Sequence, residues 1–351
     1  MTDDASSRDG TGPAGRYARQ IRFAPLGETG QEALMGGRVL ICGCGALGSV
    51  VADTLVRAGA GFVRIVDRDF VELNNLHRQV LFDEADASAR LPKAVAAVDR
   101  LRDVNSSVVL EAEVADLRAE NIHRLAADVD LLIDGTDNFE TRYLLNDFSV
   151  AQNIPWIFAG CVGAEGQTFA ILPGETPCLS CFLPEPPPSA ALPTCDTAGV
   201  LEPIVSVLAS LQAMEAIKIL SGNQAQLNSD LTFVNLWENS FRSIGMVSGR
   251  REDCLTCGQR QFVWLRGERC AAVTQLCGSS SIQILPTSDE SLNLVALAEK
   301  LRTLGAVTSN PFLVRLEVDD HVLTIFADGR TIIGGTDDPA VARTLVAKYL
   351  G

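Results

Sequence analysis

Apolar runs alternate with amphipathic stretches through the first two thirds of the chain. The run RVLICGCG, residues 38–45, predicts a buried strand ending in glycines, and a helix is predicted at about residues 46–58. A second buried strand is predicted at residues 62–67, then a helix over residues 91–104, and a strand that enters a polar loop at residues 130–138. Strands that alternate with helices indicate a mostly parallel sheet covered on both faces. The predicted fold class is therefore α/β, of the Rossmann-like type.

The pattern changes near residue 258. From about residue 280 it predicts a strand, a helix over 292–301, three strands and a final helix over 339–349, which together make a small α+β domain. No group of chemically reactive side chains stands out there, so its role is left open. The predicted organisation is a disordered tail, the main domain, a linker and the small domain, over residues 1–15, 16–258, 259–279 and 280–351.

Charge and hydropathy exclude some classes of partner. The 351 residues carry a formal net charge of −15, which repels phosphate backbones and anionic lipid, so neither nucleic acid nor a membrane is an expected partner. The longest apolar stretch, residues 203–220, is interrupted by polar residues and keeps helical spacing, which predicts a buried helix. The N-terminus has no apolar signal segment, and the predicted location is cytoplasmic.

A glycine-rich turn follows the first strand. Gly43, Gly45 and Gly48 form GxGxxG between a strand and a helix, where main-chain N–H groups can approach phosphate oxygens closely. Asp67 ends the next strand, where a carboxylate can hold a ribose hydroxyl. These residues predict a nucleotide site, and at this point an NAD-dependent oxidoreductase fits as well as any other reading.

Further polar residues after the second and later strands separate these alternatives. Two cations and a carboxylate suit a triphosphate with Mg²⁺, because its charge must be neutralised and a leaving pyrophosphate stabilised, whereas a nicotinamide site needs no such set. Each residue alone could be a surface ion pair or a cap, but their joint arrangement favours an ATP site. The candidates are Asn74, Asn75, Arg78, Lys93, Asp137 and Asn138.

Ten cysteines in a chain without a secretory signal favour metal ligation or catalysis over disulfides. Two CxxC pairs predict a closed tetrahedral Zn²⁺ site, and a redox role is the rival interpretation. The predicted ligands are Cys178, Cys181, Cys254 and Cys257, although Cys270 and Cys277 could compete with them.

Cys195 lies in PTCDTAG, just before the long predicted helix. A thiolate near a helix N-terminus is stabilised and more nucleophilic, which makes Cys195 a candidate nucleophile. The alternative is a loop thiol with no chemical role.

Several ordered motifs together carry a family resemblance. RYARQ, GCGALG, D-x-D-x-V-E-L-x-N-L-x-R-Q, PK, TDN, the two CxxC pairs and the TCDTAGVLEP segment resemble the bacterial adenylyltransferases of molybdopterin and thiazole biosynthesis. Those enzymes are similar to the adenylation domains of ubiquitin-activating enzymes. The resemblance covers about residues 16–258.

The resemblance implies roles for these residues. Asp67 would bind the ATP ribose, Asn74 to Arg78 with Lys93 would bind the phosphates, and Asp137 would bind Mg²⁺ with Asn138 beside it. Arg19 would reach the site of a neighbouring subunit, which implies a homodimer, and Cys195 would handle the activated acyl group or its sulfur. At Ala46 a glycine is common in the molybdopterin enzymes, so one methyl group is expected to crowd the nucleotide slightly.

The implied activity is ATP-dependent adenylation of the C-terminal glycine of a ubiquitin-like sulfur carrier protein, with release of pyrophosphate. Sulfur would then come from a separate persulfide donor, since no sulfurtransferase domain is evident. Two other classes stay open on the residues alone: the oxidoreductase, and a non-catalytic adaptor on the same scaffold. Which carrier and which pathway are involved is also left open.

Overall fold

The computed structural model describes residues 13–187, 195–246, 248–269, 273–275, 281–285 and 292–350. The chain divides into two compact units, residues 1–268 and 269–351. The finer division at residues 258 and 280 stays a prediction. Of the segment predicted as a tail, residues 1–12 lie outside the described residues, whereas Pro13–Arg16 form one helical turn.

The first unit alternates helices and strands as the hydropathy pattern predicts. Its helices are α1 Pro13–Arg16, α2 Ala18–Ile21, α3 Gly27–Gly36, α4 Ala46–Ala58, α5 Glu84–Ala89, α6 Lys93–Val104, α7 Ile122–Leu125, α8 Phe139–Gln152, α9 Leu179–Phe182, α10 Cys195–Ala198 and α11 Glu202–Leu220. Its strands are β1 Arg38–Cys42, β2 Phe62–Asp67, β3 Val109–Val114, β4 Leu131–Asp134, β5 Trp156–Val162, β6 Glu165–Ile171, β7 Asp230–Asn235 and β8 Ser240–Gly245.

These eight strands form one sheet in the order β3-β2-β1-β4-β5-β6-β7-β8. Strands β1 to β5 are parallel to their neighbours, whereas β5 to β8 pair antiparallel. The strand order reverses between β1 and β4, and in open α/β sheets ligands bind at the carboxyl ends of the strands beside such a reversal. The glycine turn follows β1 and the Asp137 loop follows β4, so the fold brings the two motifs side by side. The predicted α/β Rossmann-like class is confirmed.

Alternation along the strands builds two cores, one on each face of the sheet. In β1, Val39 and Ile41 join the cluster that packs with α4, α6 and α11, whereas Leu40 and Cys42 join the cluster with α8 on the other face. Helix α11 is long and apolar enough to cross a bilayer by length and composition. It packs against α4, β5 and β6 and contributes residues to the first cluster, as the prediction of a buried helix requires.

The second unit is an antiparallel sheet with two helices. Its order is β11-β12-β13-β14-β10-β9, and four strands follow helix α12, where the sequence pattern predicted three. The unpredicted strand β11 is short and mostly exposed, so it carries no apolar run. The elements are β9 Val273–Gln275, β10 Ser281–Ile284, α12 Leu294–Leu301, β11 Ala306–Ser309, β12 Leu313–Val318, β13 His321–Phe326, β14 Thr331–Gly334 and α13 Pro339–Leu350.

Candidate nucleotide site and cysteine clip

The three glycines of the turn after β1 have different physical roles. Gly43 has φ +88°, and a Cβ there would lie 2.7 Å from the Gly135 carbonyl oxygen, whereas a Cβ on Gly48 would lie 1.9 Å from the Gly43 oxygen. Both positions therefore exclude any side chain through packing of the main chain. Apart from its chain neighbours, a Cβ on Gly45 would meet one atom of the described residues within 4 Å, the Nε2 of Gln79, at 3.8 Å. The space in front of Gly45 is open, and a ligand can approach the main chain there.

Asp67, at the carboxyl end of β2, borders this turn. It is 7% exposed, and its two carboxylate oxygens accept hydrogen bonds from the main-chain N–H of Cys44, at 2.6 Å, and of Asp69, at 2.7 Å. Burial raises the pKa of Asp67, and the two hydrogen bonds and the nearby Lys93 work in the opposite direction. The side chain is thus fixed beside the glycine turn, as the motif predicts for a ribose ligand.

Lys93 lies buried at the start of α6, with its Nζ 3.3 Å from the Asp69 carboxylate. Burial lowers the pKa of Lys93, but the carboxylates of Asp69, Asp67 and Asp137 outweigh that effect and raise it. The lysine therefore stays charged, and its charge is stabilised by carboxylates at the end of β2 and in the loops after β2 and β4. Lys93, Asp67 and Asp137 face a common region, and we call the carboxyl ends of β1, β2 and β4 with these side chains the nucleotide edge.

A second cation, Arg68, belongs to the same cluster. Its guanidinium lies 3.2 Å from Asp116 and 3.9 Å from Asp69. Burial opposes the charge of Arg68, but Asp116, Asp69, Asp137 and Asp67 together raise its pKa. Carboxylates outnumber the cations here, an arrangement that suits a bound divalent cation.

The loop that carries Asp137 is held by a buried ion pair. Asp134 is fully buried at the end of β4, and it accepts from the Arg142 Nε at 3.0 Å and from the Thr136 hydroxyl at 2.7 Å. Arg142 also donates to the carbonyls of Thr136 and Ala159 and so ties this loop to β5. Asp137 itself stays exposed. The ion pair and the two carbonyl contacts thus hold the loop that carries Asp137.

Asn138, Asn74 and Asn75 make local contacts. The Oδ1 of Asn138 accepts from the Thr141 N–H and caps α8 at its N-terminus. Asn75 is buried and donates to the Asn74 side chain at 2.8 Å. Arg78 donates to the Asn74 carbonyl at 2.9 Å and forms no ion pair with any described residue, so its charge is available to an anion.

Two predicted site residues have no described side-chain contact with this cluster, and the side chain of a third lies outside the described residues. Arg19 is exposed on the short helix α2, away from any described ion pair. Ala46 is the first residue of α4 and packs, partly buried, against the core cluster, and the expected crowding of the nucleotide stays a prediction. Cys195 begins α10, but its side chain lies outside what the structure describes, as do Cys270 and Cys277.

The residues that support the site were not predicted from the sequence. Arg68 follows Asp67 directly, and its cation between two aspartates was a local signal that could have marked it. Asp134 and Arg142 carried a weaker signal, since a charged residue at the end of an apolar strand and another in an apolar helix are costly unless they pair.

The four predicted zinc ligands come together in one cluster, which we call the cysteine clip. Their sulfur atoms all lie within 4.8 Å of one another. The Cys178 sulfur is 3.9 Å from that of Cys181 and 3.6 Å from that of Cys254, and Cys181 is 3.3 Å from Cys257. Residues 178–181 and 254–257 are far apart in sequence, so the clip closes a long loop.

Helix α8 holds both halves of the clip through two adjacent buried residues. Asn146 accepts from the Leu179 N–H and donates to the Ser180 hydroxyl, between the first two cysteines. Asp147 accepts from the Thr256 hydroxyl between the other two cysteines, and from the Trp264 N–H, both at 2.9 Å. The fold thus arranges the cysteines through contacts that do not involve sulfur.

Comparison with known proteins identifies the family. Residues 17–256 match the ThiF family. The chain belongs to the ThiF family. Its sequence is 42% identical over 338 residues to the sulfur carrier protein ThiS adenylyltransferase of Bacillus subtilis (strain 168), covering 96% of this chain and 99% of that protein. It is 39% identical over 257 residues to the sulfur carrier protein adenylyltransferase of Thermus thermophilus, covering 71% of this chain and 93% of that one.

Solved structures agree with this membership. The ThiF-family chain is similar to E. coli MccB with ATP, with a TM-score of 0.60 and 25% identity over 69% of this chain and 74% of that one. The resemblance to adenylyltransferases that the motifs predicted is therefore confirmed. The oxidoreductase and adaptor alternatives are not favoured, because the ThiF relatives named above are adenylyltransferases.

Proposed function

We propose that this chain transfers AMP from ATP to the C-terminal glycine of a ubiquitin-like sulfur carrier protein. The observation that carries the proposal is the buried Lys93, whose Nζ lies 3.3 Å from the Asp69 carboxylate just after β2, at the same edge of the sheet as the glycine turn after β1. The relatives named above act on sulfur carriers, and the first of them matches along nearly its whole length.

In the proposed reaction, a carboxylate oxygen of the carrier attacks the α-phosphorus of MgATP. A bond forms between that oxygen and phosphorus, the bond to the bridging oxygen breaks, and pyrophosphate leaves with the electron pair. A carboxylate needs no base to activate it, so the protein supplies position and charge neutralisation. That agrees with a nucleotide edge rich in Arg, Lys and Asp.

Each residue then has a proposed role. Asp67 would hold the ribose, and Asp137 would hold the magnesium ion of the substrate. Arg78 and Lys93 would bind the phosphate oxygens, and main-chain N–H groups at Gly45 would approach them from the turn. The charge of Arg78, which no described carboxylate neutralises, supports its part.

The cysteine clip fits zinc in a structural role. In a tetrahedron with zinc–sulfur bonds of about 2.3 Å, the sulfurs lie about 3.8 Å apart. The separations of 3.9 and 3.6 Å around Cys178 are close to that value, and four thiolates leave no position open to water or substrate. When bound, zinc would join the two halves of the clip and supply no chemistry to the transfer of AMP.

The further partners are proposals from the family resemblance. A second copy of the chain would bring its Arg19 to the phosphates bound by the first. The exposed Arg19 has no described anionic partner in its own subunit, so its charge is available for that contact. A separate persulfide donor would supply sulfur after adenylation. We also propose a cytoplasmic location, and a carrier of thiazole or of molybdopterin biosynthesis.

The deciding experiment weighs each candidate carrier after incubation with the protein and MgATP. One carrier is expected to gain the mass of AMP, and the same carrier should drive exchange of labelled pyrophosphate into ATP. A carrier lacking its terminal glycine is the control and should gain nothing. If no sulfur carrier gains mass or supports exchange, the proposal is wrong.

A second experiment tests the role of Cys195. Its thiolate is proposed to attack the acyl carbon of the adenylate, which forms a thioester and releases AMP. The Cys195→Ala variant should keep pyrophosphate exchange within about threefold of wild type and lose any thioester-linked carrier. Loss of exchange together with the thioester would instead place Cys195 in the adenylation step.

A further inference from the structure

Gln79 is a buried glutamine whose side chain has no hydrogen-bond partner among the described residues. The residue is 3% exposed, and its Oε1 is buried without a partner among the described residues. Its main chain is fixed, since its N–H donates to Asn75 and its carbonyl accepts from Phe82. The Oε1 is an acceptor that a phosphate oxygen cannot satisfy, so the atom that is available to an anionic ligand is the donor Nε2, which forms no hydrogen bond with any described residue.

The position of the side chain points to a ligand. Among the described residues, apart from the chain neighbours of Gly45, the Gln79 Nε2 is the one atom within 4 Å of the place that a Cβ on Gly45 would occupy. The carboxamide therefore borders the open space over the glycine turn, with its donor end nearest the turn. Gly43 and Gly48 have no such space, because main-chain oxygens fill it.

The same space faces the N-terminus of α4. Gly45 is the residue that precedes this 13-residue helix, and no side chain caps it. Uncapped N–H groups at the start of a helix bind phosphate oxygens, and a glycine turn lets those oxygens come close. A neutral donor such as a carboxamide, added beside those N–H groups, suits an anionic phosphoryl group and not a cation.

We propose that Gln79 is a substrate-contacting residue whose Nε2 donates a hydrogen bond to the α-phosphoryl group of the nucleotide over Gly45. This inference rests on the proposed function for the identity of the nucleotide. The α-phosphorus is the centre that reacts, and its oxygens gain charge when the carrier carboxylate adds to it. A hydrogen bond to them strengthens in the transition state, so Gln79 serves catalysis as well as binding.

The test compares adenosine with AMP, which differ only in the α-phosphate. Each ligand competes against a fluorescent ATP analogue on the wild type, Gln79→Met and Gln79→Glu. Methionine keeps the size and removes the donor, so AMP should bind about 10-fold more weakly while adenosine changes less than about twofold. Glutamate sets a carboxylate against the phosphate and should weaken AMP further.

A matched control makes the same change of charge elsewhere. This control is Gln152→Glu, at the exposed last residue of α8. The nucleotide edge is at the other end of that helix, so the binding of both adenosine and AMP should stay unchanged. Equal weakening of adenosine and AMP in the Gln79 variants would assign the residue to packing and overturn the proposal. Unchanged AMP binding would overturn it too.

The rate of pyrophosphate exchange is a separate test of the role of Gln79. In carrier-dependent pyrophosphate exchange, Gln79→Met should lower kcat by about 10-fold or more, beyond any change in KM for ATP. A wild type without carrier-dependent exchange would refute the proposed function, whereas the comparison of adenosine with AMP would still decide the role of Gln79.

Discussion

The nucleotide edge and the cysteine clip share one helix but are built in opposite ways. The start of α8 supports the nucleotide edge through Asn138 and Arg142, and about one turn after Arg142 the helix holds the clip through Asn146 and Asp147. At the nucleotide edge, Arg78 has no carboxylate partner and the Gln79 side chain has no hydrogen bond, among the described residues. In the clip, each cysteine pair is held by side chains that are themselves bonded.

This difference indicates what the polar groups of each region do, binding a ligand in one and stabilising the fold in the other. Groups left unpaired at the nucleotide edge can be satisfied by a ligand, so their loss should alter catalysis more than folding. Groups satisfied within the clip stabilise the fold, so their loss should alter folding more than catalysis. Variants in the two regions test this contrast.

The largest expected effect is the loss of the metal from the clip. Cys254→Ser should lose the bound zinc, and because a structural zinc site of this kind contributes about 10 kcal/mol or more of folding free energy, the clip should open. Hydrogen exchange should rise first over residues 248–269, and zinc per chain should fall from one to none by atomic emission.

The matched control for this variant is Cys161→Ser, on β5 outside the clip, which should keep its zinc. Chelation of the wild type should reproduce the effect of Cys254→Ser. A wild-type protein that purifies without zinc would contradict the assignment of the clip as a metal site.

The next effect is at the nucleotide edge. Asp137→Asn removes an exposed carboxylate, so the free energy of unfolding should change by less than about 0.5 kcal/mol. Pyrophosphate exchange should fall about 100-fold or more, because the charge that holds magnesium is lost. Asp103→Asn, an exposed residue of α6, is the control for the charge change. Exchange within threefold of wild type would remove Asp137 from the site.

The two regions also differ in what their sequences could predict. Helix α4 and strand β2 were predicted with their observed ends, because glycines and apolar runs mark these boundaries locally. Asp67, Lys93 and Asp137 could be selected as candidates for a similar reason, since each stands next to a strand end or a helix start. The four cysteines were found from their spacing alone.

The supporting residues could not be found in this way. Asp147 reaches Thr256 across 109 positions, and Asn146 reaches Leu179 across 33, so only the folded chain brings the partners together. Gln79 and its neighbour Arg78 look alike as polar residues in sequence. Burial and the missing hydrogen bond set Gln79 apart, and neither property is local to the sequence.

The smallest expected effect is at Asp147, which supports the clip without contacting the metal. Asp147→Ala leaves the buried Trp264 N–H and the Thr256 hydroxyl without their acceptor, which should cost about 1–3 kcal/mol in the free energy of unfolding. Zinc should still bind, because all four cysteines remain. Urea denaturation of the zinc-loaded protein measures the loss, and a variant without zinc would show that Asp147 acts on the metal itself.

The dependence of that loss on pH sharpens the prediction. Burial raises the pKa of the Asp147 carboxyl to about 6, above its unfolded value, despite hydrogen bonds that lower it. The folded state therefore binds the proton more tightly, and the stability linked to it is complete below pH 4 and is lost as the pH rises through 6. Between pH 8 and pH 5 the wild type should gain about 1.4 kcal/mol relative to Asp147→Ala. Titration of the cysteines is common to both proteins and cancels in the difference, so a difference that stays flat over this range would show that the Asp147 carboxyl keeps an ordinary pKa.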